Sequence, residues 1–321
     1  MTPEEMEKRI VRYGDLQPCK TAFIDAHTPG SDQKENFTII GGGVSESPDQ
    51  HVHIGIPHGF NIGAAGQPPH CRNSLHSHRT AEVFFILSGR WRFFWGRWGD
   101  AGEVILNEGD IINIPTGIFR GFQNVGTDYG MIMAILGGDD AGGGVIWAPQ
   151  VIEDAKAHGL VLGENGKLYD TKKGASLPDG VGPMPLLTDE QLKDYPEPTG
   201  MNVVGGYVRR YHDMAAIGRD GPVKVIGETG IIRDKPGFEV DLITRENATD
   251  AKHSHDKPSV LMPMFGHWRV DYDGGSATLA PGDTMSVPEG VAHSAVPSMT
   301  GEAALYHVVA TDDPAGLTWK G

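Results

Sequence analysis

One pattern, written twice, constrains this 321-residue chain more than any other feature. Residues 76–92 read HSHRTAEVFFILSGRWR and residues 253–269 read HSHDKPSVLMPMFGHWR. Both carry His-Ser-His, a glycine at the same distance (Gly89, Gly266) and then Gly-X-Trp-Arg. A second block follows each: GDIINIPTGIFR from Gly109 and GDTMSVPEGVAH from Gly282. Two ordered blocks with matching internal spacing mark a tandem duplication, so whatever unit one half folds into, the other repeats. The length agrees, being enough for about two domains.

Each unit reads as strands. Residues 81–87 and 90–95 are aromatic and β-branched runs broken by Ser88-Gly89, a hairpin signal. Residues 103–106, 111–114, 118–123 and 130–136 continue the short-strand rhythm, and residues 237–244, 259–264, 268–272 and 285–287 repeat it. Such a rhythm predicts a sandwich or barrel. The 45 glycines and 22 prolines then serve tight turns, since apolar residues are ample and the Gly/Pro content has no period. GGDDAGGG at residues 137–144 is expected to be a flexible break, and no Gly-Lys-Ser/Thr follows it as a phosphate loop would require. Pro149 sits at the first position of a predicted helix running to Ala157, and residues 188–193 form one short helical candidate in the Pro/Gly-rich stretch that follows.

The formal net charge of -15 argues against nucleic acid or an anionic membrane surface as partner. Cys19 and Cys71 have no zinc-type spacing and read as free thiols of a reducing compartment. The charged N-terminus resembles no signal peptide, and no apolar run approaches the ~20 residues needed to span a bilayer. A soluble, cytoplasmic protein is expected, in which the Asn-X-Thr triplets at Asn36 and Asn247 carry no meaning.

On one unbroken strand, residues two apart share a face, so His76, His78 and Glu82 would point together, as would His253, His255 and Ser259. The second block would bring Arg120 to the first set and His293 to the second. Imidazoles and a carboxylate converging in a rigid barrel bind a divalent transition metal such as Fe, Mn, Ni, Cu or Zn. A lone His-X-His is more often a pair of ordinary strand histidines; two copies in register weigh against that. His51, His53, His58 and His70 lack a carboxylate at ligand spacing and read as strand-face or loop histidines. Trp91, Phe93 and Trp95 alternate on one face and are expected to pack, as is Trp268, which repeats Trp91.

These blocks resemble the two motifs of the cupin superfamily. His76, His78, Glu82 and Gly89 match the first motif, His-X-His-X3-Glu-X6-Gly, without a gap. Gly109, Pro115, Gly117 and Asn124 match the second, but Arg120 stands where its metal-binding His belongs. In the second half, His253, His255 and Gly266 match the first motif with Ser259 at the Glu position, while Gly282, Pro288, Gly290 and His293 match the second. The resemblance implies an all-β chain of two tandem cupin barrels (double-stranded β-helix, or jelly roll) with a few short helices. We expect an N-terminal segment over 1–35, a barrel over 36–145, a helical and irregular connection over 146–200 and a barrel over 201–321.

It also implies function, though the fold hosts many chemistries. The three histidines of the second barrel (His253, His255, His293) resemble the iron centres of gentisate-type and diketone-type dioxygenases. That points to Fe(II), a small anionic aromatic or enol-type substrate and O2. A non-redox metal enzyme (lyase, isomerase or decarboxylase) and a non-enzymatic ligand-binding bicupin are the alternatives. An oxalate-decarboxylase-like role is disfavoured, because those bicupins carry three His and one Glu in each barrel. In the first barrel, His76, His78 and Glu82 make a two-His, one-carboxylate set, and Arg120 either pairs with Glu82 or clamps a substrate carboxylate. The family's habit of pairing barrels implies a homo-oligomer.

Overall fold

The computed structural model describes residues 1–139 and 144–311. Residues 140–143, the centre of the expected flexible break, lie outside the described residues. The expected strands form at or near their expected bounds: Glu82–Ser88, Trp91–Trp95, Gly102–Leu106, Ile111–Ile114, Arg120–Asn124 and Gly130–Gly137 in the first half. Phe238–Thr244, Ser259–Phe265, Trp268–Tyr272 and Thr284–Val287 follow in the second, and the predicted helix is Pro149–Ala157. Each unit wraps two sheets into one barrel, of seven and five strands in the first and of seven and three in the second. No described helix is long and apolar enough to cross a membrane.

The two seven-stranded sheets pack face to face. Val83, Phe85 and Leu87 of one share a single buried cluster with Val260, Met262 and Met264 of the other. Between them in sequence, Phe84 and Ile86 turn the other way, into the first barrel's own core with Trp91, Phe93 and Trp95. The two-residue period of a strand thus sends alternate side chains to the inter-barrel seam and the barrel interior. Both faces being buried, these strands read as continuous apolar runs instead of alternating with polar residues. Across the seam the Tyr306 hydroxyl donates to the Gly109 carbonyl at 2.8 Å, and its ring lies 4.9 Å from that of Phe85.

The units also exchange their leading segments, which crosses the boundaries expected at residues 35 and 200. Ile10–Val11 joins the second barrel's sheet beside Thr284–Val287. Val208–Arg209 joins the first barrel's sheet beside Ile111–Ile114. The anchoring is the same on both sides. Asp283 accepts from the Tyr13 backbone N–H (2.9 Å) and pairs with Arg12 (3.1 Å). Asp110 accepts from the Tyr211 backbone N–H (2.9 Å) and pairs with Arg210 (2.6 Å). Gly282 and Gly109, just before these aspartates, have φ of +86 and +82, and an added Cβ would lie 2.6 and 2.7 Å from the rings of Tyr13 and Tyr211. The duplication therefore includes an Arg-Tyr leader that two matching residues were too few to reveal.

The connection over 146–200 is not a free linker. Trp147, Val151, Ala155, Leu160, Leu162 and Leu192 pack in one cluster with Leu75 and Phe119 on the outside of the first barrel. Replacing Asp283 by Ala should loosen the leader by about 1 kcal/mol, since it removes the acceptor of the part-buried Tyr13 N–H and Arg12 guanidinium. Limited proteolysis near residues 8–12 should then quicken; an unchanged digestion pattern would contradict the latch.

Candidate metal centres

Both expected clusters assemble, but by a route that differs from one unbroken strand. His76 lies in Arg72–Ser77, which belongs to the five-stranded sheet, whereas Glu82 begins Glu82–Ser88 in the seven-stranded sheet. His78 stands in the corner between them. The second half repeats this: His253 forms an isolated bridge with His293, and Ser259 opens the strand Ser259–Phe265. The chain changes sheets at each His-X-His. The ligands converge because the barrel closes around that corner.

In the second barrel the cluster holds four histidines: His253, His255, His293 and His307, with one nitrogen of each within 4.8 Å of the others. Ring centroids are 4.7 to 5.9 Å apart. His293 and His307 are buried, His255 is partly exposed and His253 is exposed, so the cluster opens outward at His253. The Nε2 atoms of His255, His293 and His307 are buried without a hydrogen-bond partner. Such orphaned acceptors cost free energy unless something takes them up. The ring of His293 directs Nδ1 to the Val291 carbonyl (3.0 Å), which leaves a lone pair on Nε2. Burial holds His293 down to about 4 and lowers His255 and His307 as well, so these three stay neutral. Four converging imidazoles, three of them with a buried and partnerless Nε2, fit a divalent transition metal.

His307 escaped the sequence reading. It sits on Ala304–Ala310 with Leu261 as its register partner, and the first-barrel residue in that register, opposite Phe84, is Ala134. Phe84 and Leu261 hold the same place in the repeated block. The second barrel has therefore moved its fourth donor: Ser259 replaces the Glu82 carboxylate, and a histidine appears one strand over. Only the aligned strand register would have exposed this, because no motif spans both strands.

The first barrel brings His76, His78 and Glu82 together, with ligand atoms within 4.8 Å. Nδ1 of His76 faces the Ser74 carbonyl (2.7 Å) and Nδ1 of His78 the Gly144 carbonyl (2.9 Å), so both Nε2 atoms carry lone pairs. Arg120 is where the two halves differ. Its guanidinium pairs with Glu82 and donates to the His76 carbonyl at 3.2 Å, with both side chains buried. Burial first, and Arg120 second, push both imidazoles well below their ordinary range. Of the two roles expected for Arg120, the geometry contains the ion pair with Glu82. A buried guanidinium already supplies the positive charge this carboxylate needs, so these three donors suit a dication less well than the four histidines do.

His51, His53 and His58 are engaged elsewhere. His53 contacts the Thr38 carbonyl and the Gln17 N–H, and His58 bridges the Ile56 carbonyl and the Ser286 hydroxyl. His51 stacks edge-on against His53. Cys19 and Cys71 are buried and free.

A cupin domain family model matches residues 66–136. Among solved structures, a formate complex of Lactobacillus farciminis oxalate decarboxylase is 13% identical over 96% of this chain and 88% of that one, with a TM-score of 0.56. A variant of Bacillus subtilis oxalate decarboxylase is 15% identical over 97% and 79%, with a TM-score of 0.54. At these identities the likeness is one of fold. No curated protein sequence matches this chain.

The buried imidazoles make the metal-free protein acid-sensitive. They stay neutral in the folded chain while unfolded histidines protonate near about 6.5. Below that pH the unfolded state binds more protons, so this stability is complete above about 6.5 and is lost as the pH falls towards the lowered folded values. Calorimetry of chelator-treated protein should show the melting midpoint dropping from neutral pH to about pH 5, and a flat midpoint would count against neutral buried histidines.

Proposed function

We infer that this chain, a bicupin of the cupin superfamily, is a metal-dependent enzyme whose working centre is the four-histidine set of its second barrel. The observation that carries this reading is the trio of buried, partnerless Nε2 atoms on His255, His293 and His307 beside a pocket that opens at His253. A divalent ion held by four neutral donors keeps its full charge and supplies Lewis acidity toward a small chelating anion. Ile243, Leu261 and Ala295 form an apolar wall of the pocket, while the Thr249 hydroxyl offers a polar contact for a bound substrate. Asp241 lines the same pocket, 3.4 Å from Lys224, and burial raises its carboxyl pKa. Its carboxyl oxygen is the group placed to hold or release a proton beside a substrate.

Non-redox chemistry of the lyase, isomerase or decarboxylase class comes first. Two solved structures that share this fold are oxalate decarboxylases, which makes oxalate and related small dicarboxylates the first substrates to try. The absence of a carboxylate from the second-barrel set supports a second reading, an Fe(II) dioxygenase acting on an enol or aromatic anion. Anaerobic assays separate the two: turnover that survives without O2 belongs to the first, and turnover that consumes O2 to the second.

In the first barrel Arg120 stands in for the ion. Metal analysis of the wild type should therefore find about one equivalent per chain, lost in His293→Ala and kept in His76→Ala. Arg120→His should admit a second equivalent by releasing Glu82 and adding a donor. A metal-free wild type after reconstitution with Mn, Fe, Zn and Ni would overturn the reading. Asp241→Asn should keep the metal and lower turnover by about 10²-fold or more, the range for a removed proton-transfer group.

A further inference from the structure

The first barrel holds a cavity that the metal chemistry does not use. A cavity of about 70 Å³, open on one side, is bounded by Phe23, Phe84, Phe122, Leu136 and Trp147, with His76, His78 and Glu82 on its wall. We propose that this cavity is a metal-free binding site for a neutral hydroxylated aromatic molecule, one carrying a hydroxyl donor and a second, acceptor oxygen. The proposal rests on the reading above that Arg120 replaces an ion in this barrel.

Three observations carry it. The wall presents hydrogen-bond acceptors. The Ser74 and Gly144 carbonyls fix the Nδ1 protons of His76 and His78, so each Nε2 offers a lone pair to a hydroxyl. The wall also contains one unused donor. Asn36, 8% exposed, lines the cavity, and its Nδ2 has no partner. A buried amide N–H left unmade costs stability, and an acceptor oxygen on a ligand relieves it. Finally, the aromatic rings bounding the space favour a flat, apolar body.

Charge selects the neutral form. Arg120 compensates Glu82 from behind, since Arg120 is not part of the cavity lining. What faces a ligand is thus a carboxylate already balanced and two imidazole lone pairs, with no free cation among the described lining residues to hold a second carboxylate. The two barrels would then divide their labour, the second taking a chelating anion and the first an uncharged hydroxyarene.

The test is calorimetric titration of the intact protein with 4-hydroxyacetophenone, acetophenone and 4-hydroxybenzoate, alongside metal analysis of wild type and His76→Ala. The expected order is 4-hydroxyacetophenone tightest, with acetophenone and 4-hydroxybenzoate each weaker by about tenfold, the value of a hydrogen bond or an unpaired charge. Asn36→Leu should weaken 4-hydroxyacetophenone by a similar factor. Ala134→Leu, which places bulk in the cavity, should abolish binding while the metal content of the second barrel stays unchanged. Equal affinity for acetophenone, unchanged affinity in Ala134→Leu, or no heat from any of the three overturns the proposal and leaves the second-barrel centre untouched. Metal lost in His76→Ala overturns it by the other route, showing an ion where Arg120 was placed.

Discussion

The face-to-face packing of the two seven-stranded sheets is the constraint on which everything else depends. Each of these sheets is buried twice, once against the other barrel and once against its own interior. Val83, Phe85 and Leu87 go one way and Phe84 and Ile86 the other, so a one-residue slip in register would exchange the seam for the barrel interior. That rigidity also places the donors. Glu82 and His307 face inward because their strand neighbours are committed to the seam. The crossed Arg-Tyr leaders, each gripped by the aspartate of the opposite unit, tie the barrels together a second time.

On this common scaffold the halves have diverged in charge rather than shape. The second barrel has exchanged its carboxylate for a serine and gained a histidine one strand over, giving a four-histidine set that opens to solvent. The first has kept its carboxylate and exchanged a histidine for an arginine, closing the charge internally. A buried carboxylate needs a cation close by, and a guanidinium or a divalent ion meets that need equally well in electrostatic terms. Only the ion can also accept a substrate oxygen. Three shared positions and one that moved thus give a four-histidine set in one barrel and a carboxylate–guanidinium pair in the other.

Behind that wall the first barrel spends further buried polarity on order. Asp25 and Lys34 form an ion pair with almost no exposure, and Lys34 donates to Asn73 at 2.8 Å. Asn73 in turn lies 3.5 Å from Nδ1 of His76. Glu46, which accepts from the Trp147 indole at 2.6 Å, is pushed up to about 8 by burial. These contacts hold the imidazoles and the cavity rim in one arrangement, the kind of support a binding site requires of its surroundings.

The sequence by itself determined that there are two barrels, where their strands run, which histidines are candidates and that Arg120 breaks the first set. Those facts are carried by local periodicity and by motifs repeated along one chain, which need no partner to be read. Tertiary structure alone decided the rest. His307 became a donor because strand pairing sets it beside histidines some fifty residues earlier, and pairing between distant strands leaves no trace in spacing. The break at His-X-His replaced an unbroken strand because barrel closure, not strand alternation, turns those side chains inward. Arg120 and Glu82 meet as a buried ion pair because barrel closure brings together side chains 38 residues apart.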